Sequence, residues 1–201
     1  MKELVLVTLS VIFCLCLGTN ASAQTDVRSI DAYCKKIDAF TSANKRAVVV
    51  VADTSDYADQ NSKAKWRKFA SEKALETFRD KTEVYNVALN WLRGGKIIAS
   101  NMTLSSPSGD WAKYVYHYFR EDGTLARVKI DYRTFQGDFL ILQNRYFDRN
   151  GKLLKKTTAY QDLQTHKPKK PGKDYAGSNA SFLAEDIYKT TVKLPFARVI
   201  R

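Results

Sequence analysis

Tyr118-Phe119-Arg120-Glu121-Asp122-Gly123-Thr124-Leu125-Ala126-Arg127 returns 28 residues later as Tyr146-Phe147-Asp148-Arg149-Asn150-Gly151-Lys152-Leu153-Leu154-Lys155. Each copy carries an aromatic pair, two polar residues, Asp-Gly or Asn-Gly, a spacer, an aliphatic residue and then a basic one. Asp, Asn and Gly tolerate the positive φ of a tight turn, so these dipeptides between alternating runs are strong hairpin signals. Four strands follow from the two hairpins: Trp111–Arg120, Leu125–Phe135, Phe139–Phe147 and Leu153–Leu163.

Upstream, Glu83–Arg93 alternates with a period of two. Gly94-Gly95 turns it into Lys96–Leu104, and Ser105–Asp110, with Pro107 and Gly109, is a longer turn. Six strands joined by short turns predict an antiparallel meander. Ahead of them, Val48 to Val51 reads as a strand buried on both faces. Asp26–Phe40 and Ser62–Arg79 both show apolar residues at three- and four-residue steps, the mark of amphipathic helices. The predicted fold class is α+β: a six- to seven-stranded curved antiparallel meander with two amphipathic N-terminal helices on one face. After the sheet core (83–163) come a basic, proline-interrupted loop (164–180) and a C-terminal helix and edge strand (181–201).

Lys2, the apolar run Leu4–Leu17 and Ala21-Ser22-Ala23 have the form of a cleaved signal peptide over residues 1–23, leaving one domain over 24–201. The apolar run is shorter than the roughly 20 residues that span a bilayer, so no transmembrane segment is expected after cleavage. Export to the periplasm or extracellular space of a bacterium is the expected localisation. Cys14 and Cys16 leave with the leader, and Cys34, on the apolar stripe of the first helix, reads as a small core hydrophobe. A lone thiol makes no internal disulfide, so packing must hold the fold.

The formal net charge is +12. Outside the cell such a charge favours phospholipid headgroups, acidic glycans or acidic proteins over nucleic acid. Where the charge concentrates depends on hairpin register, because a slip of one residue inverts a strand. A two-residue Asp122-Gly123 turn sets Tyr116 opposite Lys129. A three-residue turn, Glu121 to Gly123, sets Arg120 opposite Thr124 and gathers Tyr114, Tyr116 and Tyr118 with Ala126, Val128, Ile130 and Tyr132 on a core face. The second register is the more self-consistent. It places Trp111, His117, Arg127, Lys129 and Arg133, extended by Arg145, on one aromatic and cationic face, with Lys113 opposite Asp131 and Trp111 opposite Arg133. Such a face suits an acidic glycan, a lipid headgroup or an acidic protein.

Signals for catalysis are thin. The chain has two histidines, and no zinc-protease, nucleophile-elbow or phosphate-loop motif. His117 with Asp131 is the pair a hydrolase would use, but no serine is marked as a nucleophile. No cofactor or metal is expected. The sequence therefore favours a non-enzymatic binding protein. Its alternatives are a hydrolase on the concave sheet face and a carrier of apolar ligands between sheet and helices.

Overall fold

The computed structural model describes residues 26–59 and 62–200; the predicted leader lies outside them. Both Gly-centred turns form with three residues. Gly123 and Gly151 take the left-handed conformation at φ +82° and +78°, where a Cβ is strained. The Arg120 N–H donates to the Thr124 carbonyl at 2.8 Å, and the Asp148 N–H donates to the Lys152 carbonyl at 3.0 Å.

One step beyond each turn the ladder slips. Phe119 faces Leu125 but Tyr118 faces Arg127, so Ala126 is an extra residue. Phe147 faces Leu153 but Tyr146 faces Lys155, so Leu154 is its counterpart. The repeated unit is thus a three-residue turn plus a β-bulge. The bulge cancels the parity of the turn, and from Tyr118 onward the pairing is the one a two-residue turn would have given. Tyr116 faces Lys129, Lys113 faces Tyr132 and Trp111 faces Thr134. The expected grouping of Tyr114, Tyr116 and Tyr118 with Val128 and Ile130 is therefore inverted, as are the Lys113–Asp131 and Trp111–Arg133 pairs.

The strands are β1 (Val49–Asp53), β2 (Trp66–Phe69), β3 (Asn86–Arg93), β4 (Lys96–Ser105), β5 (Trp111–Phe119), β6 (Leu125–Thr134), β7 (Phe139–Phe147) and β8 (Leu153–Asp162). They form one antiparallel sheet in the order β2-β1-β3-β4-β5-β6-β7-β8. The meander expected from the sequence is β3 to β8. β1, the strand expected at Val48–Val51, and the unforeseen β2 extend it beyond β3, and the eight-stranded sheet is open, ending at β2 and β8, rather than a curved sheet of six or seven strands.

Helix α1 (residues 26–43) buries Val27, Ile30, Cys34 and Ile37 against Ile98, Ala99, Tyr118, Ala126 and Tyr146. Burial pushes the Cys34 thiol up to about 12; it packs as an apolar side chain. Helix α2 (Glu72–Arg79) sets Leu75 against Val50, Ala52, Phe69 and Val84 on the same side of the sheet. It starts later than the periodicity of Ser62–Arg79 suggested. The Ser71 hydroxyl accepts the Ala74 N–H at 3.1 Å, which fixes the helix start there. Trp66–Phe69 instead pairs with β1, whose buried backbone needs a partner on that side.

The opposite face has its own cover, which the sequence pattern did not announce. Val51, Ala88, Met102, Val115, Val128, Ile130 and Ile141 pack beneath Leu183, Leu194, Phe196, Ala197 and Ile200. These come from the end of α3 (Lys173–Phe182), the 3-10 turn Thr191–Lys193 and α4 (Ala197–Ile200). The stretch 174–179, expected to be irregular, is helical. Tyr188–Leu194, expected as an edge strand, makes only an isolated bridge from Thr190 to Thr124. The sheet thus has an α1 face and a C-terminal face, and no helix among the described residues is long and apolar enough to cross a membrane.

Candidate functional site

The bulge decides where the six predicted site residues go. Trp111, His117 and Arg145 fall on the C-terminal face, while Arg127, Lys129 and Arg133 fall on the α1 face. The expected single surface is split by the sheet. On the C-terminal face, Trp111 packs edge-on to Phe182 at 5.0 Å. His117 is fully buried, its ring stacked parallel to Phe119. Its Nε2 lies 2.9 Å from the Asp186 carbonyl, to which it donates. Burial holds its pKa down at about 4, so the ring is neutral at pH 7. Arg145 donates to Gln143 Oε1 at 2.5 Å and to the Leu183 carbonyl at 3.3 Å.

On the α1 face, Arg127 sits beneath the helix. It pairs with Asp31 at 3.0 Å, donates to Asn144 Oδ1 at 2.6 Å and lies over the Tyr146 ring. Arg133 pairs with Asp131 at 3.0 Å over the Tyr114 ring. Lys129 alone of the three is exposed with no ion pair among the described residues. His117 and Asp131, the pair offered for a hydrolase, project from opposite sides of the sheet.

Sequence reasoning missed the cluster around Lys113. This side chain is 1% exposed and its Nζ meets Asp186 Oδ2 at 2.6 Å. It also donates to the Phe182 carbonyl at 3.1 Å and lies over the Phe182 ring. Asp186 takes a left-handed backbone at φ +61°, which Asp adopts more readily than most residues. Beside it, Asn90, Ser100 and His117 are register neighbours on β3, β4 and β5. All three are fully buried, and Asn90 Oδ1, Ser100 Oγ and His117 Nδ1 lack partners among the described residues. Lys113, Asn90, Ser100 and His117 are shut off from solvent while Asp186 keeps 22% of its side chain exposed, and the Lys113 and His117 contacts fasten the chain from Phe182 to Asp186 onto the sheet.

A groove of about 730 Å³ lies between the first turns of α1 and the two hairpin turns. Its charged lining is Asp26, Glu121, Asp122 and Asp148 with Arg120 and Arg149, opposite in sign to the chain as a whole. The Arg120 guanidinium is engaged elsewhere, donating to the Leu125 and Phe147 carbonyls at 2.8 and 2.6 Å, and Arg149 pairs with Asp122 at 2.9 Å. No group of three or more His, Cys, Asp or Glu among the described residues is arranged to hold a metal.

One group of exposed cations without ion pairs among the described residues lies at the β8 end of the sheet; others, among them Lys35, Lys36, Lys63, Lys65 and Lys68, are spread over the first third of the chain. Lys129, Asn144 and Thr157 lie side by side across β6, β7 and β8, and Lys155 follows Tyr146 in the next row on the same face. Lys129, Lys152, Lys155 and Lys156 are all exposed, and none forms an ion pair among the described residues. Tyr114 and Asp131 lie one row further along the same face, and Arg133 two rows further. No family model, curated protein or solved structure matches the chain.

Proposed function

We propose that this is an exported, non-enzymatic binding protein that contacts an anionic partner through the lysine-bearing β6–β8 end of its sheet. The observation that carries the reading is the set Lys129, Lys152, Lys155 and Lys156, exposed and without carboxylate partners among the described residues, with Lys129 and Lys155 on the face of Asn144 and Thr157 and Lys156 on the opposite face. The other predicted cations are engaged: Arg127 by Asp31, Arg133 by Asp131 and Arg145 by Gln143. Free ammonium groups next to uncharged hydrogen-bonding side chains suit a polyanion. Burial of His117 beneath the C-terminal segment supports binding over hydrolysis, because a general base must reach its proton.

The test is equilibrium binding of the purified protein to a sulfated polysaccharide, anionic and neutral vesicles, and an acidic peptide, each at low and at physiological salt. Retention of one anionic ligand at physiological salt, lost in Lys129→Glu/Lys155→Glu, is the expected result. Uniform loss at physiological salt would reduce the charge to a solubility device, since exposed charges are screened beyond about 8 Å there.

A further inference from the structure

We infer that the outer edge of β8 is a strand-addition site for an extended acidic segment of a partner polypeptide. This rests on the reading that the partner is anionic and names its class.

Backbone parity leaves the edge open. The Leu163 N–H donates to the Asp138 carbonyl at 3.0 Å, so Thr157, Ala159 and Gln161 also turn their backbone groups toward β7. Lys156, Thr158, Tyr160 and Asp162 turn theirs outward. The chain itself uses the far half of that edge. The Lys169 N–H donates to the Tyr160 carbonyl at 3.1 Å, and the Asp162 N–H donates to the Lys167 carbonyl at 2.9 Å. This return segment pairs Gln161 with Pro168 and goes no further. The outward groups of Lys156 and Thr158 have no partner among the described residues. From Lys155 to Ala159 every residue is exposed, and Leu153 is 46% exposed at the near end. The edge thus accepts a backbone ladder over one half and presents an unpaired one over the other.

The side chains choose the occupant. Lys155 projects on the α1 face and Lys156 on the C-terminal face, so an added strand meets a cation whichever way its own residues point. Lysines on an edge oppose indiscriminate pairing, and acidic residues on the incoming strand convert that opposition into cross-strand attraction. A second copy fits poorly. A two-fold axis on the open stretch sets Lys156 directly opposite or diagonal to its equivalent, and like charges so placed are destabilising. Glycans and lipid headgroups lack the alternating N–H and C=O groups that an edge reads. Leu153 adds an apolar contact for one residue of the incoming strand.

The probe is a short fluorescent peptide with paired glutamates flanked by valines, titrated by anisotropy into the purified protein at physiological salt. A second version carries backbone N-methyl groups, which remove its ladder donors without altering its charge. Binding of the parent peptide is expected, weakened at least about tenfold by N-methylation, by Lys155→Glu/Lys156→Glu, and by Thr158→Pro, whose lost N–H faces away from β7. Equal binding of the N-methylated peptide would overturn strand addition while leaving the anionic reading intact. Binding of the sulfated polysaccharide or anionic vesicles but no peptide would do the same. A dimer in sedimentation that Thr158→Pro abolishes would assign the edge to a second copy instead. Undiminished peptide binding by the charge-reversed variant would overturn both readings.

Discussion

Lys113 is a cation held inside the protein. Its side chain is 1% exposed, with the Asp186 carboxylate at 2.6 Å. Breaking a buried pair by removing one partner costs about 3–5 kcal/mol, whereas exchanging the pair for uncharged side chains is often neutral. Asp186→Asn keeps a residue that tolerates φ +61° yet leaves the ammonium unpaired. It is expected to lower unfolding stability by about 3 kcal/mol in urea titration, and adding Lys113→Met should recover most of the loss. Its neighbour His117 links stability to acid. Burial lowers its pKa to about 4, below the 6.5 of an unfolded histidine. As pH falls from 6.5 to 4 the unfolded chain takes up a proton that the folded chain refuses, so stability present above pH 6.5 declines across that window. The decline from this group is on the order of 3 kcal/mol. Comparing wild type with His117→Gln over that range should show the variant losing less stability by about that amount.

At the scale of elements, the side chain of Arg120 bridges the two repeated hairpins through their backbone carbonyls. Arg120, from the first turn, donates to the Leu125 carbonyl of its own hairpin and to the Phe147 carbonyl of the second. Hydrogen bonds from a charged group are each worth about 1.5–3 kcal/mol net. Arg120→Met should therefore cost about 2–4 kcal/mol and raise amide exchange in both turns together, whereas Arg149→Met, at an exposed ion pair, should cost under about 1 kcal/mol. The strands β3 to β8 and their turns were legible in the sequence because alternation and glycine position are local properties. The bulges were not. Ala126 and Leu154 are apolar like Leu125 and Leu153 before them, and no composition marks an extra residue in a ladder. That single hidden residue moved His117 and Arg127 to opposite sides and divided the predicted site. The helix expected over Ser62–Arg79 was cut back to Glu72–Arg79 for a similar reason: Trp66 and Phe69 fit a helical step, but β1, paired with β3 on one side, took the segment as a strand on the other. The helix and edge strand expected over 181–201 are replaced by the end of α3, a 3-10 turn and α4, whose place was set by the apolar face they close.

For the whole molecule, the two covers are unequal. On the α1 face the helix closes only the hairpin end, and the β6–β8 strip stays open. On the C-terminal face the central core of the sheet is closed by Leu183, Leu194, Phe196, Ala197 and Ile200. Burying a Leu, Ile or Phe side chain contributes about 1.5–3 kcal/mol, so this cover supplies a sum comparable to the 5–15 kcal/mol that separates a typical domain from its unfolded chain. Phe196, fully buried with its ring 4.8 Å from Trp66, ties the cover to edge strand β2. Phe196→Ala should cost about 3–5 kcal/mol and still give a cooperative unfolding transition. Ending the chain after Phe182 removes the whole cover and uncovers Lys113 and His117 with the apolar core. That protein should lose its near-ultraviolet circular dichroism, bind an apolar dye and self-associate in size-exclusion chromatography. If it instead stayed monomeric with native aromatic signals, the sheet would be stable without this cover, and the contacts from Lys113 and His117 to Asp186 would belong to a detachable flap rather than to the core.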